Sequence, residues 1–153
     1  MKNRIEASRQ ISASPETVWN IISDLESMGN LSSENYGGRW KKGFNGVEKG
    51  AIFRGKNKNG WRRWRTNVLV TECEEPNKLA FSLRVARQTW CEWAYQIEAS
   101  ENGCWVTESW TDTRTWPQVK IGWIISGVPN RAEHNFKSIE STLDNLVLQA
   151  ETR

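Results

Sequence analysis

With 153 residues, 25% of them charged and a formal net charge of +3, the chain has the make-up of a folded domain and not of a disordered tail. No apolar run reaches the ~18 residues of a membrane span, and the opening Met1–Ser8 lacks a signal peptide's apolar core, so one cytoplasmic domain over 1–153 is expected. Cys73, Cys91 and Cys104, an odd number without CxxC spacing, fit neither a disulfide framework nor a zinc site.

Residues 3–12 alternate well enough for an edge strand. Ser14-Pro15-Glu16 supplies an N-cap, a proline at the first helical position and a first-turn acid, which predicts a short helix from Pro15 to about Asp24. A second short turn follows over Glu26–Leu31, then a glycine-bent strand over 36–43. Asn59-Gly60 between the strands 51–58 and 61–73 predicts a type I′ hairpin. That register sets Phe53 against Thr66 and Gly55 against Trp64, with Phe53, Asn57, Arg62, Trp64, Thr66, Val68 and Val70 on the inner face. Arg54, Lys56, Arg63 and Arg65 then stack like charges on the outer face.

Leu79–Val85 and Cys91–Ile97 alternate as two further strands, and Ser100–Gly103 turns into a last strand from Cys104 to about Thr113. This hairpin places Trp93 and Tyr95 beside Glu108 and Trp110 and keeps Cys91 from Cys104. Trp116-Pro117 ends the strand. Lys120–Val128, apolar and punctuated by glycine, is open to three readings: the first part of a terminal helix, a covering segment, or a mobile lid. From Val128 to Ala150, Ala132, Phe136, Ile139, Leu143, Leu146, Val147 and Ala150 recur at helical spacing and predict one long amphipathic helix. Since nearly everything before it reads as strand, its apolar face must lie on a sheet.

Two features of composition bear on function. Ten tryptophans against four Phe and two Tyr are more than a small core readily buries, which points to an aromatic-lined cavity or a stacking surface. Residues 1–65 hold 13 Lys and Arg against 6 Asp and Glu, with ten of those cations between Arg39 and Arg65. Such a run is either an anion-binding face or a solvated sheet surface.

The element order, with the opening Ile11-Ser-Ala-Ser-Pro-Glu-Thr-Val-Trp19, resembles the START/Bet v 1-like (SRPBCC) helix-grip superfamily and most of all its polyketide cyclase/dehydrase-like branch. Gly50–Gly55, Arg63-Trp64, Val106–Trp110 and Arg131-Ala-Glu-His-Asn135 carry the same resemblance. It implies an α+β fold in which a seven-stranded antiparallel sheet wraps around a long C-terminal helix, with two short helices after the first strand. It implies a cavity between sheet and helix, and a hydrophobic, aromatic or polycyclic small molecule as partner. No cofactor and no metal are expected, because His134 alone cannot build the iron site of the oxygenase branch.

Phe53, Asn57, Trp64, Trp93, Tyr95 and Trp110 are the candidate lining of that cavity, unless they simply fill the core. Glu108, placed among Trp93, Tyr95 and Trp110, is the candidate catalytic residue. A desolvated carboxyl has a raised pKa and can shuttle protons in a cyclisation or dehydration, with Asn57 or Tyr95 orienting an oxygen. Arg62 is its conceivable ion-pair partner, Asp112 a weaker second acid, and His134 falls on the solvent side of the terminal helix. A non-catalytic carrier or sensor is the alternative reading. A homodimer is admitted. Nucleic acid is not expected, since Trp64 faces away from Arg63 and Arg65.

Overall fold

The computed structural model describes residues 3–153. Seven antiparallel strands form one sheet: β1 (Asn3–Ile11), β2 (Asn35–Trp40), β3 (Ile52–Asn59), β4 (Arg62–Glu74), β5 (Lys78–Val85), β6 (Gln88–Ser100) and β7 (Gly103–Asp112). Their order is β1-β7-β6-β5-β4-β3-β2, so β1 and β2 are the two edges. Helix α1 (Pro15–Ile22) and a 3₁₀ turn (Leu25–Asn30) carry the chain from one edge to the other. Ser14 caps α1, its hydroxyl accepting from the Thr17 amide at 3.1 Å. Two helices follow the sheet, α2 (Trp116–Ser126) and α3 (Arg131–Glu151). This is the expected helix-grip arrangement.

Helix α3 starts on Asn130, whose side chain accepts from the Glu133 amide, and buries Ile139, Leu143, Leu146 and Ala150 against the core that also holds Ile11, Val18 and Ile22. Asn145 and Gln149 donate to the carbonyls of Leu31 and Asn30, which tie the helix to the 3₁₀ turn. The expected apolar face needs one correction: Phe136 is 39% exposed, while Asn135 and Thr142 are buried. The stripe is rotated toward the 135/142 side of the helix, so an asparagine occupies the inward place at its first turns.

The β3–β4 hairpin also departs from expectation. Asn59 pairs with Arg62, Asn57 with Trp64, Gly55 with Thr66 and Phe53 with Val68, two residues away from the predicted register. The turn is centred on Gly60-Trp61, with Gly60 at φ +59°, the position where a II′ turn needs glycine. A slip of two residues keeps every side chain on its face, so the inner set survives. Like charges still oppose one another, Lys56 against Arg65 and Lys58 against Arg63, and the ring of Tyr36 receives both lysines at 4.9 and 5.5 Å.

Candidate functional site

Between the sheet and the two last helices lies a cavity of about 600 Å³. Four of the predicted lining residues form its wall: Asn57 and Trp64 from the β3–β4 hairpin, Trp93 from β6 and Trp110 from β7. Trp93 and Trp110 are cross-strand partners with ring centroids 6.4 Å apart. Val68, Phe81 and Leu83 extend the apolar surface, and Trp90 adds a fourth indole. Phe53, Tyr95 and Glu108 are not part of this wall. Phe53 is buried edge-on against Trp40, at 5.1 Å between ring centroids.

Tyr95 and Glu108 sit opposite each other on β6 and β7, one inward position beyond Trp93 and Trp110. The Tyr95 hydroxyl donates to Glu108 Oε1 at 3.0 Å, and Oε2 has no partner among the described residues. Burial pushes the Glu108 carboxyl up to about 8, with the Tyr95 hydrogen bond pulling the other way. Glu108 is therefore protonated at neutral pH. Burial, and then the neighbouring carboxyl, hold the Tyr95 phenol well above its ordinary value. Asp112 is committed elsewhere, gripped by Arg114 through Nε at 2.8 Å and Nη2 at 2.9 Å. Burial likewise raises the Cys91 thiol on the cavity wall to about 11, so it stands as an unreactive apolar group.

The roof is α2, a helix separate from α3, so Lys120–Val128 is a covering segment and not the first part of the terminal helix. Ile121, Gly122, Ile125 and Gln118 face the cavity. The roof is strapped at both ends. At its start, Gln118 Nε2 donates to Gln88 Oε1 at 2.6 Å, at the β5–β6 tip. At its end, Asn59 donates to the Ser126 carbonyl at 2.8 Å and Arg62 Nη1 to the Ile124 carbonyl. These are helix C-terminal carbonyls, which attract a cation and lack partners within the helix. Gly127 ends α2 at φ +72°, and a Cβ there would lie 2.7 Å from Arg62 Nε. Arg62 is thus a roof strap and does not pair with Glu108.

One end of the cavity is polar. Glu34, in the loop before β2, accepts from Arg131 Nη1 at 2.8 and 2.9 Å and lies 3.1 Å from His134 Nε2. Burial works to raise the Glu34 pKa, but the His134 hydrogen bond and the Arg131 charge together hold it below its ordinary value. His134 is therefore anchored to a carboxylate instead of facing open solvent. Arg131 also reaches Asn135 Oδ1 at 3.4 Å. Arg131 Nε and Nη2 and Asn135 Nδ2 have no protein partner among the described residues, and both residues line the cavity. The Arg131 guanidinium is balanced by the Glu34 carboxylate, so its remaining donors belong to a cation that is already paired.

Sequence comparison gives this architecture its family. The model of the family described as "Polyketide cyclase / dehydrase and lipid transport" matches residues 2–151. The chain belongs to that family. Among curated proteins no match is found. Among solved structures, one domain of the di-domain ARO/CYC StfQ from the steffimycin biosynthetic pathway is similar, with a TM-score of 0.78 at 11% identity over 100% of this chain and 52% of StfQ. Protein NE0264 from Nitrosomonas europaea gives 0.71 at 12% identity, over 97% of this chain and 94% of that one. The Polyketide_cyc-like protein Cgl2372 from Corynebacterium glutamicum gives 0.59 at 24% identity, over 99% and 91%. At these identities the likeness is one of fold.

In this member of the polyketide cyclase/dehydrase and lipid-transport family, sequence reasoning missed the polar end, the fourth indole and the strap. Glu34 and Arg131 are 97 residues apart, and no local spacing joins them. Trp90 sits where β6 begins, outside the clean alternation of Cys91–Ile97. Arg131-Ala-Glu-His-Asn135 was the visible trace of the cluster, as a motif without a partner.

Proposed function

We propose that the protein binds a hydrophobic, aromatic or polycyclic small molecule in this cavity, in the cytoplasm. The observation that carries the reading is the wall itself: four indoles around about 600 Å³, apolar along the sheet and polar at one end. That composition and size suit a ligand with a flat apolar body and few oriented polar atoms. The unpaired donors of Arg131 and Asn135 suit a neutral acceptor at the ligand's end, a ketone or phenol oxygen, because Glu34 already balances the guanidinium.

A catalytic reading, cofactor-free cyclisation or dehydration, is favoured by one specific feature. Glu108 is neutral at pH 7, has an unpaired Oε2 and lies two residues before Trp110 on the same face of β7. A neutral carboxyl is a proton source for enolisation or loss of water. Glu108 stands outside the wall, so on this reading contact with a ligand requires the wall to rearrange.

Native mass spectrometry of the protein purified from its own host tests the binding reading, with a reproducible small-molecule adduct expected. Asn135→Leu should weaken a phenolic ligand about ten-fold while leaving its deoxygenated analogue unaffected. An empty protein whose tryptophan fluorescence ignores a panel of polycyclic phenols and ketones would reject the reading. For catalysis, Glu108→Gln should keep binding and lose turnover, and unchanged turnover removes Glu108 from the chemistry.

A further inference from the structure

Helix α2 carries apolar residues on two opposite sides. Its cavity side is accounted for by Ile121, Gly122 and Ile125. At 100° per residue, Trp116, Lys120, Trp123 and Ile124 gather on the other side. There Trp116 is 69% exposed, Trp123 50% and Ile124 71%. Lys120 Nζ lies 4.6 Å from the Trp116 ring centroid. Trp61, 83% exposed at the β3–β4 tip, continues this surface, because Arg62 stacks on its ring at 4.8 Å while holding the Ile124 carbonyl. One rung behind that tip, Lys58 and Arg63 project from the hairpin face opposite to Asn59 and Arg62, so the cations of the α2 side are Arg62 and Lys120. Residues 49–71 and 115–130 hold no acid, so no carboxylate of either segment opposes those two cations.

From this we infer that the outer face of α2 and the Trp61 tip form a docking surface for an anionic lipid bilayer. Indoles and isoleucines with cations set among them are what an interfacial element presents: aromatic rings sit at headgroup depth, aliphatic side chains enter the acyl boundary, and cations meet lipid phosphates. Lying in an interface does not require spanning it, and no helix among the described residues is long and apolar enough to cross. A second copy is a poorer occupant, since a two-fold interface would set the cations of this face against themselves. Single-stranded nucleic acid would use the indoles for stacking but has no use for the isoleucines. Docking in this orientation brings the strapped roof, and the cavity under it, to the lipid surface. The inference is independent of what the cavity binds.

Flotation of the full chain with vesicles decides it. Phosphatidylcholine vesicles containing phosphatidylglycerol should carry the protein, and pure phosphatidylcholine vesicles should carry at least about ten-fold less. The double variant Trp123→Ser/Ile124→Ser should lose about ten-fold or more in partitioning, with an unchanged melting temperature certifying its fold. Lys120→Glu should lose most of the preference for the anionic lipid. Wild-type protein that stays with the soluble fraction on both vesicle types overturns the proposal, and so does a Trp123→Ser/Ile124→Ser variant that floats like wild type. Two further outcomes overturn it in favour of a different occupant: an oligonucleotide that binds the wild type and displaces it from vesicles, or a concentration-dependent dimer that the same double variant abolishes.

Discussion

Helices α2 and α3 both cover the sheet, and they do so by opposite designs. Helix α3 concentrates most of its apolar residues into one stripe buried in a continuous core, and its outer side is mainly polar, interrupted by the exposed Phe136 and Leu148. Helix α2 spreads its apolar residues around the barrel of the helix, and only Ser126 of its eleven residues is buried. It touches the rest of the chain through straps at its ends and a partly empty cavity in its middle. A helix of the first kind is held by packing; one of the second kind is held by polar ties, with apolar surface left over toward the cavity and on its outer side. Stability should reside in α3, and adaptability in α2.

The largest effect should come from truncating the helix that packs. Leu143 is fully buried, and Leu143→Ala should destabilise by about 4 kcal/mol through lost transfer energy plus the cavity left behind. Ile124→Ala in α2 removes a comparable side chain from an exposed site and should change stability by less than about 0.5 kcal/mol. Urea unfolding of the two variants measures both. Equal losses would mean that α2 is part of the cooperative core and would dissolve the contrast.

A second effect belongs to the wall behind the cavity and separates it from the roof by pH. The Glu108 carboxyl ionises at about 8 in the folded chain against 4.5 for a free one. Its raised folded value means that the neutral side chain contributes stability in full below about pH 4.5, and that this contribution is lost as pH rises toward about 8. The loss at pH 7 is about 3 kcal/mol. Glu108→Gln carries no such proton, so its stability relative to wild type should climb between pH 5 and pH 8 and level off above. Melting curves across that range read the slope. A flat difference would mean that Glu108 is solvated and ionised at neutral pH, against the buried Tyr95 pair.

How much of this was legible in the sequence follows from how far each feature's partners lie apart along the chain. Trp93 beside Trp110 and Tyr95 beside Glu108 follow from one turn, Ser100–Gly103, and two alternating strands. The β3–β4 register was legible only to within two residues, because glycine serves equally as the second centre of Asn59-Gly60 and the first of Gly60-Trp61. The faces survived because the error was even. Phe53, Tyr95 and Glu108 were placed on the correct face, but period alone does not tell which inward residues reach the hollow and which lie in packed core. Helix α2 left no single stripe to find, since it carries apolar residues on two sides. The Glu34–Arg131–His134 cluster joins a loop near the start to a helix near the end, a contact made only by the fold.

The smallest expected effect is also the sharpest test of the contrast, because it should be confined to one helix. Asn59 and Arg62 donate to the last carbonyls of α2 and make no tie to α3 among the described residues. Removing both donors in Asn59→Ala/Arg62→Ala should cost about 1.5 kcal/mol of local closure, the low end of the net worth of two hydrogen bonds. The readout is amide exchange: about ten-fold faster within residues 116–126, unchanged within 131–151. The melting temperature should stay put, since global unfolding is set by the core under α3. If exchange quickens equally in both helices, roof and core open together and the straps are ordinary structural bonds. If it quickens in α2 alone, the β3–β4 tip controls access to the cavity, and the side chains that grip the roof are the neighbours of those that would meet a lipid surface at Trp61.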